Sequence, residues 1–150
     1  IHRNMNKKNQ STGFSYYGLY LLKYLKENHS DKATDTDFII GRADHAADVY
    51  EQSRLSGATP EGAQELAMAS LMEGLHFSKY NTIIEVLWNE FAEEVPPGEA
   101  AKFALKLQPE LEEVFARYPL ADGFAYTPEY DHLYTELTGA VVIYLEAHGV

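Results

Sequence analysis

The chain has 150 residues, of which 45% are apolar and 23% charged, a globular balance. That length builds one ordinary domain burying roughly two-thirds of its extended surface, and no apolar run approaches the ~20 residues of a membrane-spanning helix. Cysteine is absent, which excludes disulfides, thiolate metal sites and a cysteine nucleophile and fits a cytoplasmic setting.

The net charge of −11 is spread unevenly. Residues 1–30 hold five Lys/Arg against one Glu, residues 31–80 four against nine, and residues 81–150 three against thirteen. An acidic body repels nucleic-acid phosphates, and Lys7 with Lys8 is too short a cluster for a nucleic-acid arm. Direct nucleic-acid binding is therefore not expected, and neither is membrane association.

The opening IHRNMNKKNQSTG is polar, without the apolar segment of a signal peptide. Residues 1–13 read as a tail outside the fold, disordered or preceding the native start, for which Met5 is a candidate. The first helix is expected over Ser15–Asn28, with Phe14, Tyr17, Leu21, Tyr24 and Leu25 on the 3.6-residue period. Tyr16, Leu19, Tyr20 and Leu22 make it apolar on most other sides, as in a central or interfacial helix. A second helix follows near Asp37–Ser56, capped by Asp35 or Thr36 and ended by Gly57. Thr59-Pro60-Glu61 combines a hydroxyl cap, a first-position proline and a first-turn acid, and opens a third helix reaching about Leu75. Ser78 caps a fourth over Lys79–Glu94, with a core stripe of Ile83, Ile84, Leu87, Trp88 and Phe91. Pro96-Pro97-Gly98 breaks the chain. A fifth helix spans roughly Glu99–Arg117, where Pro109 should kink or divide it. After the turn-rich YPLADGFAY, the last helix runs Pro128–His148, carrying Tyr130, Leu133, Tyr134, Leu137, Val141 and Tyr144, with Gly149 at its end. No segment alternates as a strand would. The expected fold is all-α: a single bundle-like multihelical domain of six or seven helices over residues 14–150, with the fourth and last helices supplying much of the core.

Chemistry is suggested mainly by two Glu-x-x-His pairs, Glu73–His76 and Glu129–His132, the motif that a di-iron bundle uses. Such a site needs its ligands aimed into the bundle interior. At ~100° per residue, both pairs lie well off the core direction of their helices, and both fall in terminal turns. The simpler account is electrostatic. Glu129 suits the positive start of its helix, and His76 the negative end of another. No catalytic, cofactor or metal residues are assigned, although Glu73, His76, Glu129 and His132 remain positions for adventitious metal. His45 and Asp48 read as a pair on a helix surface. Gly18, Gly41, Gly62, Gly74 and Gly139 read as places of close helix contact. No nucleophile elbow or phosphate-cradling loop is present.

Eleven tyrosines are the most unusual compositional feature. Tyrosine suits interfaces and half-wet core edges, because its ring packs while its hydroxyl keeps a partner. Tyr16, Tyr17, Tyr20 and Tyr24 are the candidate interface residues, with Tyr17 and Tyr24 leaning to the core.

The phrases FSYYGLYLLKYL, DFIIGRADHAADVYE, ELAMASLMEGLHFSKY, LWNEFAEEVP and TPEYDHLYTELTGAVVIYLE resemble an uncharacterised Bacteroidetes domain-of-unknown-function family. Its members are small conserved hypothetical proteins often carried on conjugative transposons. The resemblance runs from about Phe14 to Gly149. It implies a compact all-helical domain and an accessory role in mobile-element biology, and it transfers no site residues.

The expected function is that of a non-enzymatic protein that recruits or dimerises through a helical surface. Two alternatives are an acidic decoy occupying a DNA-binding protein's groove, and an enzyme or metal-binding protein with unrecognised chemistry. Two arrangements are open: a homodimer in which the basic, aromatic first helix of one copy meets the acidic carboxy-terminal half of another, and a monomer in which the first helix is central, wrapped by the others.

Overall fold

The structure, a computed structural model, describes residues 13–150. Among them are seven α-helices and no strand: α1 (Tyr16–Asn28), α2 (Thr36–Leu55), α3 (Pro60–Met72), α4 (Lys79–Glu90), α5 (Ala100–Leu107), α6 (Glu112–Phe115) and α7 (Glu129–His148). The expected tail lies outside the described residues except for Gly13. The all-α class is as expected, and its packing forms two compact units, Ile1–Glu73 and Gly74–Val150.

The helix starts follow the capping grammar of the sequence. Ser15 Oγ accepts from Gly18 N at 3.2 Å and Asp35 Oδ1 from Phe38 N at 3.1 Å. Thr59 Oγ1 accepts from Gly62 N at 3.0 Å and Ser78 Oγ from Asn81 N at 2.9 Å. Each satisfies an amide that the first helical turn leaves without an intrahelical partner.

In the N-terminal unit, Leu21 and Leu25 of α1, Ile39, Ala43 and Ala46 of α2, and Ala63, Ala67 and Leu71 of α3 are buried. Alanines dominate the facing sides of α2 and α3, and small side chains at a contact let two helix axes approach closely. Arg42 of α2 reaches the end of α3, where its Nη1 donates to Leu71 O at 2.9 Å and Glu73 O at 2.8 Å. It thereby caps carbonyls that the last turn leaves open. The sequence extends α3 to Leu75, yet the helix ends at Met72. Gly74 has φ +79°, a left-handed conformation that glycine adopts without a Cβ penalty.

In the C-terminal unit, Ile83 and Leu87 of α4 pack in one core with Phe103, Ala104 and Leu107 of α5, and with Leu111 and Phe115. Leu133, Leu137 and Val141 of α7 belong to the same core, so α4 and α7 do supply much of it. Phe77 and Phe124 complete it, with rings meeting edge-on at 5.4 Å between centroids. Pro109 divides the fifth helix, as expected, with a tight turn over Gln108–Leu111 between α5 and α6. The fourth helix stops at Glu90 rather than Glu94, and the Phe91 amide closes it onto Leu87 O at 3.0 Å.

Trp88 corrects the expected core stripe, because it is 55% exposed. The set Ile83, Ile84, Leu87, Trp88 and Phe91 spans an arc of roughly 140° on a helical wheel. Packing instead centres on Tyr80, Ile83 and Leu87 and takes in Val86, which swings the buried arc away from Trp88. The glycines do not mark close contacts between helices. A Cβ on Gly18 would lie 2.9 Å from Phe14 Cβ, four residues earlier in the same segment, one on Gly62 would meet only Thr59 and Ala58 beside it, and at Gly41, Gly74 and Gly139 it would meet nothing within 4 Å.

Candidate interaction site

The Glu-x-x-His pairs part company in the structure. Glu73 and His76 do not share a helix, since α3 ends before both. His76 is therefore not the charge complement of a helix end. Its backbone N donates to Asp122 Oδ1 at 3.0 Å, while its Nδ1 lies 3.1 Å from Asp122 Oδ2. Asp122 Oδ2 also accepts from Gly74 N at 3.0 Å. One carboxylate thus fastens the segment leading into α4. Nothing in the residue pattern points to Asp122 beyond an Asp-Gly turn phrase 46 positions after His76. Glu129 and His132 are both exposed on the first turn of α7. Glu129 lies where a first-turn acid is favoured. Among the described residues no three His, Asp or Glu side chains are grouped to hold a metal ion. His45 and Asp48 are exposed on α2.

Tyrosine–carboxylate pairs were missed by sequence reasoning. Tyr130 OH donates to Glu85 Oε1 at 2.9 Å, and Tyr134 OH to Glu90 Oε2 at 3.0 Å. Asn89 Nδ2 donates to Tyr134 OH at 3.2 Å. Glu136 takes hydrogen bonds from both Tyr118 OH and Arg117. Burial, then the Glu85 carboxylate, pushes Tyr130 far above the ordinary tyrosine range. Burial foremost raises Tyr134, and the hydrogen bond to Glu136 raises Tyr118. A tyrosine that holds its proton harder is a poorer base near neutrality, so these contacts tie α4 and the segment after α6 to α7 rather than prepare proton transfer. The spacing of Tyr130 and Tyr134 placed both on the core side of α7. Their partners lie more than forty residues away, beyond what a single-helix pattern can reveal.

The four candidate interface tyrosines divide into two pairs on α1. Tyr17 is half-buried, and its OH donates to Gln64 Oε1 of α3 at 2.8 Å. Burial is the main cause of its raised pKa. Tyr24 is half-buried, its ring centroid 6.0 Å from that of His29. Tyr16 is 62% exposed, and Leu19 and Tyr20 are exposed with it. The Tyr16 ring meets Tyr17 edge-on at 5.4 Å and Tyr20 at 6.5 Å, so Tyr16 is braced by two neighbouring rings. Tyr16, Leu19, Tyr20 and Lys23 follow the i, i+3, i+4, i+7 spacing of one helix face. Lys23 is salt-bridged to Glu27 at 3.0 Å along the same face. Singly exposed apolar residues such as Leu55, Leu66 and Tyr126 are normal on any surface, whereas a contiguous stripe is not.

Comparison with known proteins gives the same all-helical fold. The crystal structure of protein PG0816 from Porphyromonas gingivalis superposes with a TM-score of 0.84 at 36% sequence identity, over 96% of this chain and 95% of that one. No curated protein matches the chain. The model of a family described as Domain of unknown function (DUF1896) matches residues 9–150, and the chain belongs to that family.

Proposed function

We propose that this chain is a non-enzymatic interaction protein whose working surface is the exposed face of α1. The observation that carries the reading is the stripe of Tyr16, Leu19 and Tyr20, left open to solvent with the Tyr16 and Tyr20 rings against each other. Aromatic side chains of this kind offer large contact area with few rotatable bonds, and they are enriched at the centres of protein interfaces. The partner is a protein and not a nucleic acid, because the body of the chain is strongly acidic. The setting is cytoplasmic and accessory, in the mobile-element biology that the carriage of such genes on conjugative transposons suggests.

The acidic-decoy alternative requires carboxylates presented as a row of phosphate-like charges. Glu85, Glu90 and Glu136 are instead bound by tyrosine hydroxyls, and Glu112 by Lys79 at 2.8 Å, which weighs against that reading. The test is affinity purification from host extract with the wild-type chain and the Tyr16→Glu/Tyr20→Glu double variant, followed by reconstitution from purified components. A protein that binds the wild type directly and loses the variant, with helicity unchanged, supports the proposal. Equal binding by the two chains overturns it.

A further inference from the structure

Trp88 is the only tryptophan of the chain, and the core of its unit is built without it. It is 55% exposed on α4, and among the described residues neither a ring nor a cation lies against its indole. Tryptophan is highly buried on average, and at interfaces it is among the residues that dominate binding. Glu85 lies three residues earlier, so the two side chains are neighbours on one helix face, with Asn81 and Asn89 exposed around them. Tyr130 OH donates to Glu85 Oε1 at 2.9 Å and holds the carboxylate in place. A neutral hydroxyl leaves the charge uncompensated, and a carboxylate offers about four acceptor sites, so room remains for a further donor. The surroundings have one sign. Residues 80–101 hold five glutamates, Glu85, Glu90, Glu93, Glu94 and Glu99, and no Lys, Arg or His. Among the described residues no cation is paired with any of the five, whereas Glu112 and Glu136 have theirs in Lys79 and Arg117.

We infer that this face of α4 is a docking site for an arginine-bearing segment of a protein partner. A guanidinium stacks flat on an indole while its N–H fork reaches a carboxylate beside the ring. Trp88 supplies the plane and Glu85 the acceptor, one helical turn apart. An ammonium is drawn to the same carboxylate but has no plane to stack, so lysine is the poorer fit. One such contact on an open helix surface binds weakly. A segment with several arginines also meets Glu90, Glu93 and Glu94, exposed at the end of α4 and just after it, and the complementary charge speeds and orients docking. Recognition turns on a ring beside a carboxylate, which a row of phosphates lacks, so the site is not that of a DNA mimic. It lies wholly within the C-terminal unit and does not depend on the reading of α1.

Titration of the full chain with a hexa-arginine peptide at physiological salt tests this, read by Trp88 fluorescence and by calorimetry. Saturable quenching is expected, with hexa-lysine bound at least about threefold more weakly. Glu85→Gln and Trp88→Ala should each weaken hexa-arginine binding at least about fivefold, the second read by calorimetry alone, with helicity and thermal unfolding as in the wild type. Glu51→Gln removes the same charge from an exposed position on α2 and should leave binding unchanged. Absence of saturable binding overturns the inference, as does a Glu85→Gln or Trp88→Ala chain that binds like the wild type. Equal binding of the two peptides, or an equal loss in Glu51→Gln, also overturns it and reduces the effect to net charge. Sedimentation equilibrium covers the other occupant: a wild-type dimer that Trp88→Ala disperses overturns the inference and gives the face to a second copy of this chain.

Discussion

The two units solve the same packing problem with different side chains. The N-terminal unit buries Ala43 and Ala46 of α2 and Ala63 and Ala67 of α3, with leucines, Ile39 and Met72 as its large buried apolar groups. The C-terminal unit fills its centre with rings: Phe77, Phe91, Phe103, Phe115 and Phe124 are buried, and Phe124 alone meets Phe77, Tyr118 and Tyr130 edge-on. A small-residue seam takes its stability from close backbone approach and fails when volume is added. An aromatic centre takes it from large buried area and ring geometry, and fails when volume is removed.

The largest expected effect follows from that contrast. Phe124→Ala should cost about 3–5 kcal/mol, because it empties the point where four rings converge. Leu87→Ala, fully buried on α4, should cost about 2–5 kcal/mol by the same route. Chemical denaturation reads both, and a loss below about 0.5 kcal/mol for either would mean that the core of this unit is centred elsewhere. Adding volume should be the more damaging change in the other unit. Ala67→Leu should cost about 1–3 kcal/mol by forcing α2 and α3 apart. A neutral result would show that the alanine seam has slack.

Much of this contrast was legible in the sequence. Cap residues set the starts of α2, α3 and α4 because a hydroxyl or carboxylate beside an apolar period is local chemistry, complete within a few residues. The same is true of Pro109, whose missing amide divides the helix wherever the rest of the chain goes. Helix ends were less legible: α3 stops where Gly74 turns left-handed and Arg42, some thirty residues earlier, caps the last carbonyls. Trp88 failed for a related reason. An apolar arc wider than one packed layer leaves the choice of buried side to its neighbours, and only the tertiary fold makes that choice. At the candidate site, the exposed half of α1 was readable as an excess of apolar residues. The helical period already leans Tyr17 to the core and leaves Tyr16 open, but the partner of Tyr17, Gln64, lies 47 positions away and was not legible.

The units should also differ in their response to alkali. Tyr118, Tyr130 and Tyr134, all with raised pKa, belong to the C-terminal unit, where two of them join α4 to α7, and Tyr17 belongs to the other. Below the ordinary tyrosine pKa of ~10, both folded and unfolded chains keep these protons and the stabilisation is fully present. Above it the unfolded chain gives them up first, so stability falls as pH rises toward the folded values. Amide exchange between pH 9 and 11, corrected for intrinsic rates, should therefore show protection lost earlier in α4 and α7 than in α2 and α3. Tyr130→Phe should flatten the dependence in the C-terminal unit. An unchanged slope would place the alkali sensitivity with other groups.

The smallest expected effect is at Trp88, and its smallness is informative. Removing a tryptophan from a core costs about 3–5 kcal/mol, because ring area and a cavity are lost together. Here more than half of the side chain is already in water, and the buried arc of α4 is filled by Tyr80, Ile83, Val86 and Leu87 without it. Trp88→Ala should therefore change the unfolding free energy by no more than about 0.5 kcal/mol, as expected for a surface substitution, with alanine's helix propensity offsetting part of the lost contact. The residue reports as well as it tests. As the only tryptophan in the chain, its fluorescence should be solvent-exposed and readily quenched by iodide or acrylamide in the folded protein, with little red shift on unfolding. A blue-shifted, protected emission together with a cost above about 2 kcal/mol would return Trp88 to the core and rotate α4 about its axis. Measured beside Phe124→Ala in the same unit, the two substitutions bracket the aromatic centre from inside and outside.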